Sequence, residues 1–144
     1  VIGWLGNRSN QLKALRAETS QYWATRLHEA AADLVASYML GRTRMADARD
    51  HGEPCPADST CGAEQRRAAQ ARLFTLPDGD RLRDAAASLR AAMDRLADAY
   101  DQSDDEWAGA MHNQLVAVRR MQRETRQIID ARSRLDRSVP RSAG

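Results

Sequence analysis

The amino-acid sequence predicts an all-α fold, an antiparallel bundle of long helices, and three observations carry that reading. Apolar residues recur at three- and four-residue steps through every long segment. Aromatic residues make up only 5% of the chain, without a β-branched excess, so the core has to be assembled from Ala, Leu, Met and Val. The helix breakers are confined, with two of the four prolines in the stretch 51–62, one at Pro77 and one at Pro140. A chain of 144 residues with 42% hydrophobic content amounts to one domain and is too apolar for general disorder.

The first element has no proline from 9 to 50. Its apolar positions are Leu12, Leu15, Thr19, Tyr22 or Trp23, Leu27, Ala30 or Ala31, Leu34, Tyr38 and Met45. This is one amphipathic helix of roughly 60 Å, which needs partners of similar length. Gly41 interrupts the pattern at a cost of about 1 kcal/mol and marks a kink, a close crossing or the last turn. The segment 50–62 is the main loop. A short helix follows over 63–74, and Thr75 to Asp78 then serves as an N-cap with Pro77 in the first turn. The next helix runs to Tyr100 with Leu82, Ala86, Leu89, Met93, Leu96 and Tyr100 along its seam. Ser103 and Glu106 form a capping box, and Asp104 and Asp105 favour the positive end of the helix dipole. The last helix carries Trp107, Met111, Leu115, Val118, Met121, Ile128 and Leu135, and residues 138–144 form a flexible tail broken by Pro140.

Two topologies fit these lengths. If Pro77 only kinks the chain, the two middle helices act as one arm and the bundle has three long arms. If the chain reverses there, four helices of unequal length result. The three-arm arrangement is expected, because a long first helix with short neighbours would leave much of its stripe wet. The domain reading is residues 1–8 as the end of an upstream membrane helix, 9–137 as the bundle with its Pro/Cys loop at 50–62, and 138–144 as tail.

Charge narrows the function classes. There are 22 basic and 20 acidic side chains, and all the basic residues except Lys13 are arginines, a composition that reflects a GC-rich genome. With a net charge of +2 the field is weak, so nucleic acid is disfavoured as a partner. One basic face stands out, formed by Arg119, Arg123, Arg126, Arg134 and Arg137, with seven arginines against three acids between Leu115 and Arg137. Its functional reading is contact with phosphates or an acidic partner. Its plain reading is a solvated helix face with Glu124, Asp130 and Asp136 as partial compensation.

No catalytic constellation is legible. His51, Cys55 and Cys61 share the loop with several carboxylates, yet five residues separate the thiols and no second ligand pair exists, so no metal site is assigned. Cys55 and Cys61 could close a small disulfide ring worth about 2 kcal/mol in an oxidising compartment, or stand as reduced thiols. His28-Glu29 lacks the second histidine of a zinc protease motif, since Ala32 stands one turn later. Neither Glu29 nor Glu106 has a histidine three residues on, as a carboxylate-bridged di-iron bundle requires. No cofactor is implied, and an enzyme reading has no positive motif.

The opening Val1-Ile2-Gly3-Trp4-Leu5-Gly6 is apolar and gives way abruptly to Asn7-Arg8, Lys13 and Arg16. Either it is the last turn of a membrane helix lying mostly upstream, with the domain held on the cytoplasmic side by these basic flanks, or it is an ordinary terminus in which Trp4 caps the core. This stretch, with Leu12 to Glu18 and Tyr22 to Asp33, resembles small single-pass membrane-anchored helical proteins of high-GC actinobacteria, whose function is generally unknown. That resemblance implies an N-terminal anchor and a long cytosolic helix. A looser similarity is to the periplasmic helical sensing domains of bacterial chemoreceptors.

The expected function is a non-enzymatic, membrane-tethered helical interaction or assembly module. It would act through self-association or a protein partner, with Trp23, Tyr38, Trp107 and Met111 as candidate contact residues near the surface or the core's edge. The rival is an extracytoplasmic ligand-sensing bundle stabilised by a Cys55–Cys61 link.

Overall fold

A computed structural model describes residues 2–138, with side-chain surroundings for 8–137. Helix α1 runs Ile2–Asp50, α2 Ala63–Thr75, α3 Arg83–Ala99 and α4 Asp104–Ser138, with a 3-10 turn at Gly79–Leu82 leading into α3. Among the described residues there is no strand, and the fold is an all-α bundle. Of the expected tail over 138–144, Ser138 is still helical and residues 139–144 lie outside the described set, as do the surroundings of Trp4.

The chain reverses at Pro77. Helix α2 descends along α1, with Arg72 on Asp33 at 3.1 Å, and the following turn meets α1 at Trp23, whose indole N–H donates to the Pro77 carbonyl at 2.8 Å. Helix α3 then climbs back until Tyr100 lies beside Arg49, whose Nε donates to the Tyr100 carbonyl at 3.0 Å. The three-arm expectation is corrected to the four-helix alternative, up-down-up-down. The reversal rests on two local features. Asp78 takes a left-handed conformation at φ 64°, and Gly79 passes so close to the Leu73 carbonyl that a Cβ there would overlap it. The expected N-cap at Thr75 is also corrected, because its hydroxyl donates back to the Arg72 carbonyl and closes α2.

Gly41 is the close crossing among the three readings, and α1 continues through it to Asp50. A Cβ at this position would lie 2.5 Å from Met93 Cε and 2.8 Å from the Cys61 carbonyl oxygen, so glycine lets both α3 and the loop approach the α1 backbone. The capping expectation at the start of α4 holds in its first half, since the Glu106 N–H donates to Ser103 Oγ at 3.2 Å.

The core is a continuous cluster of small and aliphatic side chains, among them Leu27, Leu34, Leu73, Leu82, Leu89, Leu96 and Met121. Arginines fasten its polar edges. Arg66, buried at 6% exposure, lies over the Tyr38 ring at 5.3 Å, pairs with Asp58, and donates to the Cys61 carbonyl at 2.7 Å. Arg42 donates to the Met111 carbonyl at 2.6 Å and to Gln114 Oε1 at 3.3 Å, and the amide of fully buried Gln114 reaches Met93 Sδ at 3.5 Å. Each carries a polar group into a low-dielectric interior with its hydrogen bonds made.

The bundle covers only part of its longest helix. Helix α1 has 49 residues and α4 has 35, so they extend about 70 Å and about 50 Å. The far end of α4 reaches α1 at Ser20, whose hydroxyl donates to Asp136. Residues 8–19 of α1, beyond that contact, are all exposed.

Candidate functional site

Two surfaces stand out. The first is the wet face of α1. Leu12, Leu15 and Tyr22 are 50%, 57% and 62% exposed, and with Thr19 they fall at three- and four-residue steps, the spacing of a helix-pairing seam. Leu135, on the turn of α4 nearest to Ser20, adds another exposed large apolar side chain at the same end. The Arg26 guanidinium sits 5.3 Å from the Tyr22 ring and covers one side of it.

The structure places the expected contact residues in the core and at its edge. Trp23, Tyr38 and Trp107 are buried and Met111 is half-buried against the core. Each large ring has a structural use. Trp23 holds the α2–α3 reversal and Tyr38 lies under Arg66, while Trp107 packs edge-on to Tyr100 at 5.8 Å with Arg49 over its face. In sequence, Leu12, Leu15 and Tyr22 or Trp23 belong to one stripe with Leu27 and Leu34, and the contact of Trp23 with Pro77 decides which of the two aromatics faces the bundle.

The second surface is a groove between α3 and α4 with a volume of about 630 Å³. Ala92 and Ala117 are buried in its floor and Ala91 is half-buried beside them. Exposed Arg95, Arg119 and Arg123 stand around it, together with Arg120 and half-exposed Val116. Arg120 is occupied, donating to Glu124 at 2.8 Å and to Ser88 Oγ at 2.6 Å. Among the described residues no carboxylate lines the groove, and Arg95, Arg119 and Arg123 form no hydrogen bond or ion pair. Of the basic face expected from sequence, only Arg119 and Arg123 are brought together here; Arg126, Arg134 and Arg137 are exposed outside it. Arg95 and Arg120 complete the set of arginines in the lining. Arg95 comes from another helix, and its place is signalled in sequence only by Ala91 and Ala87, one and two turns earlier.

The loop surrounds a smaller cavity of about 270 Å³ against α2 and α3, lined by both cysteines together with Arg66 and Met93. Cys55 is exposed and Cys61 is buried, and both are free thiols. Partial desolvation of the sulfur is the main cause that raises both above the usual thiol range; the neighbouring Cys61 and Asp101 push Cys55 further up, while Arg66 partly opposes the shift at Cys61. Raised thiols of this kind are poor nucleophiles at neutral pH. Among the described residues no group of three or more His, Cys, Asp and Glu is placed to hold a metal ion, and no helix is long and apolar enough to cross a membrane. Compared with protein families, curated proteins and solved structures, the chain matches none of them.

Proposed function

We propose that the chain is a non-enzymatic helical interaction module that associates with a second copy of itself through the exposed seam of α1. The observation that carries this reading is the row of Leu12, Leu15 and Tyr22 left in solvent where the bundle stops short. Large apolar side chains clustered at one end of a molecule are a liability in isolation, whereas pairing removes them from water at about 1.5–3 kcal/mol for each one fully buried. Heptad-like spacing favours a parallel or antiparallel helix pair in which the seams interdigitate. The apolar-to-basic change across Leu5 to Arg8, at the same end of the same helix, supports a membrane tether beside the pairing surface, with the bundle on the cytoplasmic side.

The test is light scattering or sedimentation of the purified chain at low micromolar concentration. The native sequence is expected to form a dimer or higher oligomer, and the double substitution Leu12→Ser with Leu15→Ser to give a monomer of unchanged helicity. A native chain that remains monomeric through this range would overturn self-association. Fractionation of cells expressing the natural gene product tests the tether, with recovery in the membrane fraction as the expected result.

A further inference from the structure

We infer that the α3/α4 groove is a binding site for a single-chain amphiphilic anion, a molecule with a linear apolar body and a phosphate, sulfate or carboxylate head. Three observations carry this inference independently of the self-association above. The groove is an open trough with a volume of about 630 Å³. Its bed is made of alanine side chains, with Val116 at 50% exposure beside them; Asn113 and Ser88 are the uncharged polar residues of the lining, and Ser88 Oγ already accepts from Arg120. Around it stand three guanidiniums, Arg95, Arg119 and Arg123, that have no anionic partner among the described residues.

The pairing of these features sets the ligand class. Arginine presents a planar fork of donors matched to oxyanions; Arg119 and Arg123, one turn apart on α4, stand toward one end of the groove and Arg95 toward the other, and Glu124 is already engaged by Arg120. A naked phosphate would satisfy the arginines and leave the alanine bed wet. A neutral alkyl chain would do the reverse. From Ala87 to Arg95 the groove extends about 12 Å along α3, room for an extended chain of several methylenes. A folded protein partner generally buries about 800 Å² on each side, more than this short trough supplies.

The test is a titration of the isotope-labelled full chain with dodecyl phosphate below its critical micelle concentration, followed by NMR of the Ala91 and Val116 amides and the arginine Nε–H groups. Inorganic phosphate, neutral dodecyl maltoside and phosphatidylglycerol vesicles are titrated in parallel. Saturable shifts confined to the groove are expected with dodecyl phosphate, with phosphate and the maltoside each binding at least about tenfold more weakly. Arg119→Gln with Arg123→Gln, both exposed, is expected to weaken binding by about tenfold or more without altering helicity. Ala91→Trp fills the trough and is expected to abolish binding, with circular dichroism confirming the fold. Binding that survives both variants, or that the neutral detergent matches, overturns the site. Binding seen only with vesicles also overturns it, in favour of a membrane-facing surface.

Discussion

The indole N–H of Trp23 donates to the carbonyl of Pro77 at 2.8 Å, joining the middle of α1 to the turn that reverses the chain between α2 and α3. Arg132 completes the joint from α4, lying 4.2 Å over the same indole and pairing with Asp78 at 3.2 Å. Trp23→Phe keeps most of the buried ring but removes the donor, and is expected to cost about 1–2 kcal/mol. In a double-mutant cycle that pairs Trp23→Leu, which removes the aromatic face, with Arg132→Gln, a coupling of about 0.5–1 kcal/mol is expected, since the cation and the ring act on each other. Urea midpoints of the four proteins supply the cycle, and strict additivity would show that the stacking is energetically idle.

Two glycines in long helices are expected to respond oppositely to alanine. At Gly41 the new Cβ meets Met93 and the Cys61 carbonyl, so Gly41→Ala should destabilise by about 1–3 kcal/mol. At Gly109 nothing lies within 4 Å of the added Cβ, and the gain in helix propensity should stabilise by about 0.5–1 kcal/mol. Thermal melts of the two variants check both signs at once.

Arg49 holds the α3–α4 turn by donating to the Tyr100 and Gln102 carbonyls, each at 3.0 Å, while its guanidinium covers Trp107 at 5.2 Å. Arg49→Met retains apolar contact with the ring but leaves those carbonyls without their donor, an expected loss of about 1–3 kcal/mol. Its ion pair with Asp104 is a lesser contribution, because the Asp104 side chain is 95% exposed. Asp104→Asn should therefore stay within about 0.5 kcal/mol of the native chain. Denaturant midpoints distinguish the two.

The thiols should separate by accessibility. Cys55 is exposed and Cys61 buried, and partial desolvation of the sulfur is the main cause that raises both thiols. A water-soluble thiol reagent at neutral pH should modify Cys55 slowly and Cys61 only on unfolding, with the rate at Cys55 climbing as the pH is raised. Mass spectrometry of timed samples reads the order, and simultaneous modification would mean that the loop opens readily.

His51 should titrate above the ordinary imidazole range. Its Nδ1 lies 2.7 Å from the Asp47 carbonyl oxygen, the larger cause, with the Asp47 carboxylate adding to it. Because the folded pKa is the higher one, the stability this contact contributes is present below the unfolded imidazole pKa of about 6.5 and is lost as pH rises through the folded value. NMR titration of the three histidines should give His51 a raised midpoint, and Asp47→Ala should lower it only part of the way, since the backbone contact remains.

The amino-acid sequence by itself determined the secondary structure and the composition of the core. Helical periodicity, the Pro- and Gly-rich breaks and the Ser103 cap are local signals, set by backbone geometry and side-chain spacing within a few residues, and Leu27, Leu34, Leu89 and Met121 face inward as their periodicity requires. What only the tertiary structure decided was the direction of the chain after Pro77. Kink and reversal both accept the sequence Leu-Pro-Asp-Gly, and the choice rests on long-range groups, Trp23 and Arg132, that no local pattern brings to that turn. Every feature of the candidate sites follows from that choice. The reversal shortens the middle helices and leaves residues 8–19 of α1 in solvent, and it lays α3 beside α4 so that Arg95 joins Arg119 and Arg123. Surface charge and exposed seams belong to neighbouring elements jointly, so they become definite only once the elements are packed.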